Sequence, residues 1–143
     1  MEEKQRPKVG VGVIVFKGGK VLIGKRKGSH GEGKWAWPGG HLEFEESIAD
    51  CCRREVMEEA GIEIENIRFL RLMNLVAYGK HYADIAMISD WKNGEAKVLE
   101  PEKCDGWEWR SLDDLPEPLF GTLPTALEAI KTGKNFFDSQ KHD

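Results

Sequence analysis

The chain has 143 residues, 40% apolar and 32% charged, with a net charge of -4. This is the composition of an ordinary soluble domain spanning 1–143, and its acidic balance argues against a nucleic-acid polymer as partner. Three cysteines (Cys51, Cys52 and Cys104), two of them adjacent and none in a C-x-x-C, argue against a disulfide framework or structural zinc and fit a reducing, cytoplasmic setting.

The first residues, Met1 to Pro7, are charged and lack the apolar stretch of a signal peptide, and no run approaches the length of a membrane span. Val9 to Phe16 is β-branched and reads as a buried strand; Gly18-Gly19 turns the chain, and Lys20 to Arg26 returns as its partner. The stretch Gly24-Lys25-Arg26-Lys27-Gly28-Ser29 puts cations at a strand end beside a glycine-rich loop running to Gly33. Such cations suit phosphate, and Arg26 is the best single candidate. The loop is not a P-loop, because G-x-x-x-x-G-K-[ST] is absent. Trp35 to Trp37 is short and extended, stopped by Pro38-Gly39-Gly40. Trp37 is a candidate to stack on a base, and His41 to touch substrate.

Ser47 to Ala60 reads as a helix ended by Gly61, with Ile48, Ala49, Cys52, Val56 and Ala60 as its apolar stripe. Glu55, Glu58 and Glu59 are spaced i, i+3 and i+4, which at about 100° per residue puts them on one face. Like charges at i,i+4 cost a helix roughly 0.2–0.5 kcal/mol unless a cation intervenes. Such hard oxygen ligands suit Mg²⁺ or Mn²⁺, especially with a substrate phosphate completing the shell. Strands follow from Ile67 through Val76, from Tyr82 to Trp91 and from Trp107 to Arg110, with Trp107 and Trp109 as core or rim. Leu123 to Thr132 reads as a second helix ended by Gly133, and the tail from Ser139 as frayed. Strands interleaved with two helices give an α/β fold with a mixed sheet covered on both faces.

Residues 40–62 resemble the Nudix box, G-x5-E-x7-R-E-U-x-E-E-x-G-U, with every fixed position filled: Gly40, Glu46, Arg54, Glu55, Val56, Glu58, Glu59, Gly61 and Ile62. The similarity runs from about Val9 to about Thr132 and implies the Nudix α/β/α sandwich and hydrolysis of a nucleoside diphosphate linked to another group, with Mg²⁺ (or Mn²⁺) as cofactor. Carried over position by position, Glu55 and Glu59 are direct metal ligands. Glu58 shares the cluster or assists the attacking water, and a backbone carbonyl at Gly39 or Gly40 is a further ligand. Arg54 and Glu46 brace the loop and orient the neighbouring glutamate. The family takes its general base from the box or from a distal loop, where Glu100 and Glu102 stand and Glu102 is favoured.

Gly24 to Ser29, Pro38 to Phe44 and Glu100 to Trp109 look like the MutT-related nucleoside triphosphate diphosphatases, closest to the branch that includes the human thiopurine-nucleotide diphosphatase. That branch converts a (d)NTP to (d)NMP and pyrophosphate, and its counterpart of Leu119 to Leu123 lines the base pocket, so Leu123 joins the substrate-binding set. Gly121 stands where the branch has tryptophan, and Trp37 where it has leucine. The implied partner is a small nucleotide, with neither nucleic acid nor membrane, and a homodimer is in keeping with relatives. Hydrolysis of ADP-ribose or a dinucleoside polyphosphate is the second enzymatic reading; Tyr78 stands at the dinucleoside-polyphosphate marker position, and no proline stands at the ADP-ribose one. A sensor that binds a nucleotide without cleaving it is the non-enzymatic reading, disfavoured by the intact box.

Overall fold

The apolar run after Pro7 forms β1 (Lys8–Lys17), and the Gly18-Gly19 turn, with both glycines at positive φ, sends the chain back as β2 (Lys20–Arg26). The computed structural model describes residues 4–28, 30–77 and 79–142, with side chains up to residue 138. β1 and β2 pair only at Phe16–Val21 and Lys17–Lys20, and then part. From there β1 runs antiparallel to β4 (Gly39–His41) and parallel to β6 (Lys80–Asn93), while β2 takes β3 (Trp35–Ala36) and β7 (Cys104–Ser111) as its neighbours. β5 (Glu63–Ala77) continues beyond β6, and β8 (Phe136–His142) lies parallel to β5 at the edge. The result is one mixed sheet with the order β3-β2-β1-β6-β5-β8.

The two faces of β1 go to different helices, as period-two alternation requires. Val11, Val13 and Val15 pack with Cys51, Cys52, Val56 and Ala60 of α1 (Ile48–Ala60). Ile14 packs on the opposite side with Leu123 and Ala126 of α2 (Leu123–Thr132). Both helices end on a left-handed glycine, Gly61 or Gly133, and Ser47 caps α1 by accepting from the Asp50 N–H at 3.1 Å. Cys51 and Cys52 are free, buried core residues. Among the described residues, no helix is long and apolar enough to cross a membrane.

Two local expectations are corrected. β3 does end ahead of Pro38, but Gly39 and Gly40 are not left as a turn; they form β4, because β1, having left β2, needs a partner along Gly10 to Gly12. The tail is not frayed from residue 139: it closes the sheet as β8, anchored by Phe137, which is buried against Met73, Leu75 and Ala129. Phe137→Ala should therefore lower the free energy of unfolding in urea by about 3 kcal/mol. A loss below about 0.5 kcal/mol, typical of a surface change, would mean that this strand closes nothing.

Candidate functional site

The parting of β1 from β2 opens a cleft of about 720 Å³ through the sheet. Its lining includes Gly10 and Gly12 of β1, Gly24 to Arg26 of β2 with Lys27 just after it, Gly39 to His41 of β4, Glu55 and Glu59 of α1, Asp84 of β6, and Glu100 and Glu102 of the loop before β7. The i,i+4 spacing on α1 thus aims two carboxylates into one space.

Arg54 organises the acidic cluster around that helix. Its Nε and Nη2 donate to the two oxygens of Glu46 at 2.7 and 2.9 Å, a bidentate fork. Nη1 donates to Glu55 at 2.7 Å, and lies 3.5 Å from both Glu58 and Glu43. Nη2 also donates to the His41 carbonyl at 3.1 Å, which ties the helix to β4. The Arg54 hydrogen bonds hold Glu46 down at about 2, and Glu46 in turn raises Arg54 above its usual range. The geometry is that of a brace: Glu46 fixes Arg54, and Arg54 fixes Glu55.

Glu59 is held from the other side, by the Gly39 N–H at 2.9 Å. Burial pushes its carboxyl well above the ordinary range, and Glu55 and Glu100 push the same way. The packing leaves no slack at Gly40, where a Cβ would run into the Glu55 carboxylate, or at Gly39, where it would strike the Val11 carbonyl. Glu55 and Glu59 are like charges that repel, which adds to the rise at Glu59. A divalent cation would relieve the same repulsion, and two convergent carboxylates are a fitting hard-oxygen pair for Mg²⁺ or Mn²⁺. Among the described residues, no three acidic, histidine or cysteine side chains are gathered closely enough to hold an ion by themselves. Glu58 is half exposed and turned to Arg54. Backbone oxygens and substrate phosphate would have to complete the shell.

The distal acidic loop is docked onto the end of α1. Lys97 donates its N–H to the Ala60 carbonyl at 2.9 Å, and the Trp107 indole donates to the Glu59 carbonyl at 3.2 Å. Both Glu100 and Glu102 line the cleft, but Glu100 is the partly buried one whose charge bears on Glu59, and Glu102 is exposed. Across the cleft, the Arg26 guanidinium lies 4.1 Å over the Phe120 ring and donates to the His30 carbonyl at 3.3 Å. His41 is exposed at the rim, its ring 5.6 Å from that of Tyr82. Trp37 lines the cleft but is 7% exposed and packs with the α2-side core, so little of its ring is open to stack on a base.

Leu123 is a correction. Its side chain is fully buried in the α2-side core, because the first turn of that helix faces inward, and the cleft wall there comes from Phe120 and Thr122. Phe120 comes from the segment expected at the base pocket, whereas Asp84 and Tyr82, both on β6, were not singled out from the sequence, because the local pattern of that strand carries no ligand signal. Tyr78 and Ser29 lie outside the described residues.

A family model for the NUDIX domain matches residues 6–130. The chain is 28% identical over 104 residues to an oxidized purine nucleoside triphosphate hydrolase from Danio rerio, a match covering 73% of this chain and 66% of that protein. It is 28% identical over 125 residues to an RNA pyrophosphohydrolase from Haemophilus influenzae, covering 74% and 62%. The chain thus spans less than two thirds of the length of these curated relatives. A solved structure described as a MutT NUDIX hydrolase from Burkholderia pseudomallei superposes with a TM-score of 0.83 at 33% identity, covering 88% of this chain and 99% of that one.

The Glu46–Arg54 fork predicts a pH dependence of stability. A carboxyl depressed to about 2 from 4.5 contributes stability that is fully present above 4.5 and is lost as the pH falls toward 2. Glu46→Gln should therefore melt below the unmodified protein at neutral pH, with the gap narrowing below pH 4.5. A gap independent of pH would contradict the ion pair as its source.

Proposed function

The chain belongs to the NUDIX family, and from that premise we propose that it is a Mg²⁺-dependent hydrolase that converts a nucleoside triphosphate to the monophosphate and pyrophosphate. The observation that carries this reading is the Glu55–Glu59 pair, braced by Arg54 and the Gly39 N–H at the mouth of a nucleotide-sized cleft. Mg²⁺ bound there would neutralise phosphate charge and acidify its water. Glu55 and Glu59 would hold it, and Arg54 keeps Glu55 from swinging away. Glu58, half exposed at the rim, is available to complete the set. Of the two distal acids, Glu100 is better placed than Glu102 to take a proton from the attacking water, because it is the partly buried one and its charge bears on Glu59. Lys25, Arg26 and Lys27, on the β2 side, would meet the phosphate chain and stabilise the leaving charge.

Support for a triphosphate comes from the relative named as a purine nucleoside triphosphate hydrolase and from the MutT-named structure. The test is a product analysis of the purified protein with Mg²⁺ and a panel of (d)NTPs, ADP-ribose and dinucleoside polyphosphates. Nucleoside monophosphate plus pyrophosphate is expected. AMP with ribose phosphate, or a triphosphate released from a dinucleotide, would overturn the substrate class; ligand binding without turnover would make the protein a sensor. Glu55→Gln and Glu59→Gln should each lower kcat by about 10²-fold or more while the fold persists. Normal turnover in both would remove the metal assignment.

A further inference from the structure

A helix leaves its last carbonyls without intrahelical partners. At the end of α1, Gly61 donates its N–H to the Met57 carbonyl at 3.0 Å, and Lys97, from the loop after β6, donates to that of Ala60 at 2.9 Å. The Glu59 carbonyl receives two donors, the Leu99 N–H at a long 3.4 Å and the Trp107 indole at 3.2 Å. Its side chain accepts from the Gly39 N–H at 2.9 Å, so Glu59 is pinned at both ends.

The chain that carries this indole also carries Glu100. The Glu100 carbonyl accepts from the Lys103 and Cys104 N–H groups at 2.9 and 3.2 Å, which makes a tight turn. Cys104 opens β7, and Trp107 stands three residues further along that strand, opposite Gly24 of β2. The ring is held firmly there. A Cβ on Gly24 would lie 2.7 Å from two of its carbons, and the ring also packs against the α1-side core. Glu100 therefore sits on a short, braced arm whose far end rests on the Glu59 carbonyl. The Leu99 N–H already points at that carbonyl, so closing the helix does not by itself call for an indole. What the indole adds is a fixed link between β7 and a carboxylate of the cleft.

We propose that Trp107 is a positioning residue for the hydrolysis: through its hydrogen bond to the Glu59 carbonyl, it sets the distance between the cation-binding carboxylate and the distal acid Glu100. Proton transfer from water needs both groups in place at once, and a displacement of about 1 Å can cost about 10²-fold in rate. Trp107 lines the cleft, but its polar atom is turned to the helix end and is spent there. The inference rests on the roles proposed for Glu59 and Glu100, and not on which nucleotide is cleaved.

The test uses the full chain and reads metal binding and turnover separately. Mn²⁺ Kd would be taken by calorimetry, and kcat and KM with Mg²⁺ on whichever nucleotide the unmodified protein cleaves, for Trp107→Phe, Glu100→Gln and the double variant. Trp107→Phe keeps a ring and removes the donor. It should lower kcat by about tenfold or more with KM within about twofold, and weaken Mn²⁺ by about threefold or more. In the double variant, kcat should fall no more than about twofold below the lower single, because a misplaced acid has little left to lose. Should Trp107→Phe fail to fold, Gly24→Ala, which displaces the ring and keeps its donor, should show the same pattern. Unchanged kcat in the folded variant, a rise in KM alone, or losses that multiply in the double variant would overturn the proposal. Normal kcat in Glu100→Gln would also overturn it and leave the hydrolase reading standing. Mn²⁺ binding without turnover of any nucleotide would overturn that reading instead, and the Mn²⁺ affinity of Trp107→Phe would then decide: weaker upholds the positioning role, equal overturns it.

Discussion

β1 and β2 make two residue pairs and then separate, and most of what this molecule can do follows from that parting. Backbone groups released along a strand must find other partners, since leaving them buried and unpaired is costly. β1 finds β4 on the side that β2 has left, and β2 finds β3 and β7. The gap between the two sets is the cleft, so it is walled by backbone that cannot collapse without losing its hydrogen bonds. Its geometry also explains the small residues on its walls. A Cβ at Gly24 would collide with the Trp107 ring, and one at Gly40 would displace Glu55.

The second constraint is electrostatic. Five glutamates of the box region, Glu43, Glu46, Glu55, Glu58 and Glu59, sit around one helix face and its incoming loop, and four of them are within reach of the single guanidinium of Arg54. That arrangement neutralises the rim and leaves Glu59 alone on the inner side, where burial makes an isolated negative charge expensive. The site is thus poised: a small, hard cation between Glu55 and Glu59 would relieve the repulsion and burial that raise the Glu59 carboxyl. On the opposite face of the sheet, the Arg71–Asp84 pair is already neutralised internally.

The helix α1, its glycine stop and the shared face of its carboxylates were legible, because the i, i+3, i+4 spacing and the C-terminal glycine act locally. The β1–β2 hairpin and α2 were legible for the same reason. β4 was not, because Pro38-Gly39-Gly40 carries the signature of a chain break; only the long-range fact that β1 leaves β2 turns it into a strand. β8 was hidden by its polar flanks, with Phe137 as the sole strong anchor. Asp84 and Arg71 could not be paired from the sequence. Bulges in the β5–β6 ladder, one of them between Phe69 and Arg71, shift the register, and a one-residue shift decides whether Arg71 points into the core. Leu123 was misassigned because its segment was placed at the cleft as a whole, whereas the turn of the helix divides it between cleft and core.

On the proposed function, Glu55 and Glu59 form the cation site, and the metal displaces the proton that burial favours on Glu59. The most direct measurement is calorimetric titration of Mn²⁺ into the protein near pH 7 in two buffers of different ionisation enthalpy. The account predicts saturable binding that releases about one proton per ion, and loss of both the release and most of the affinity in Glu59→Gln. Binding with no proton release, or with equal affinity in Glu59→Gln, would contradict it.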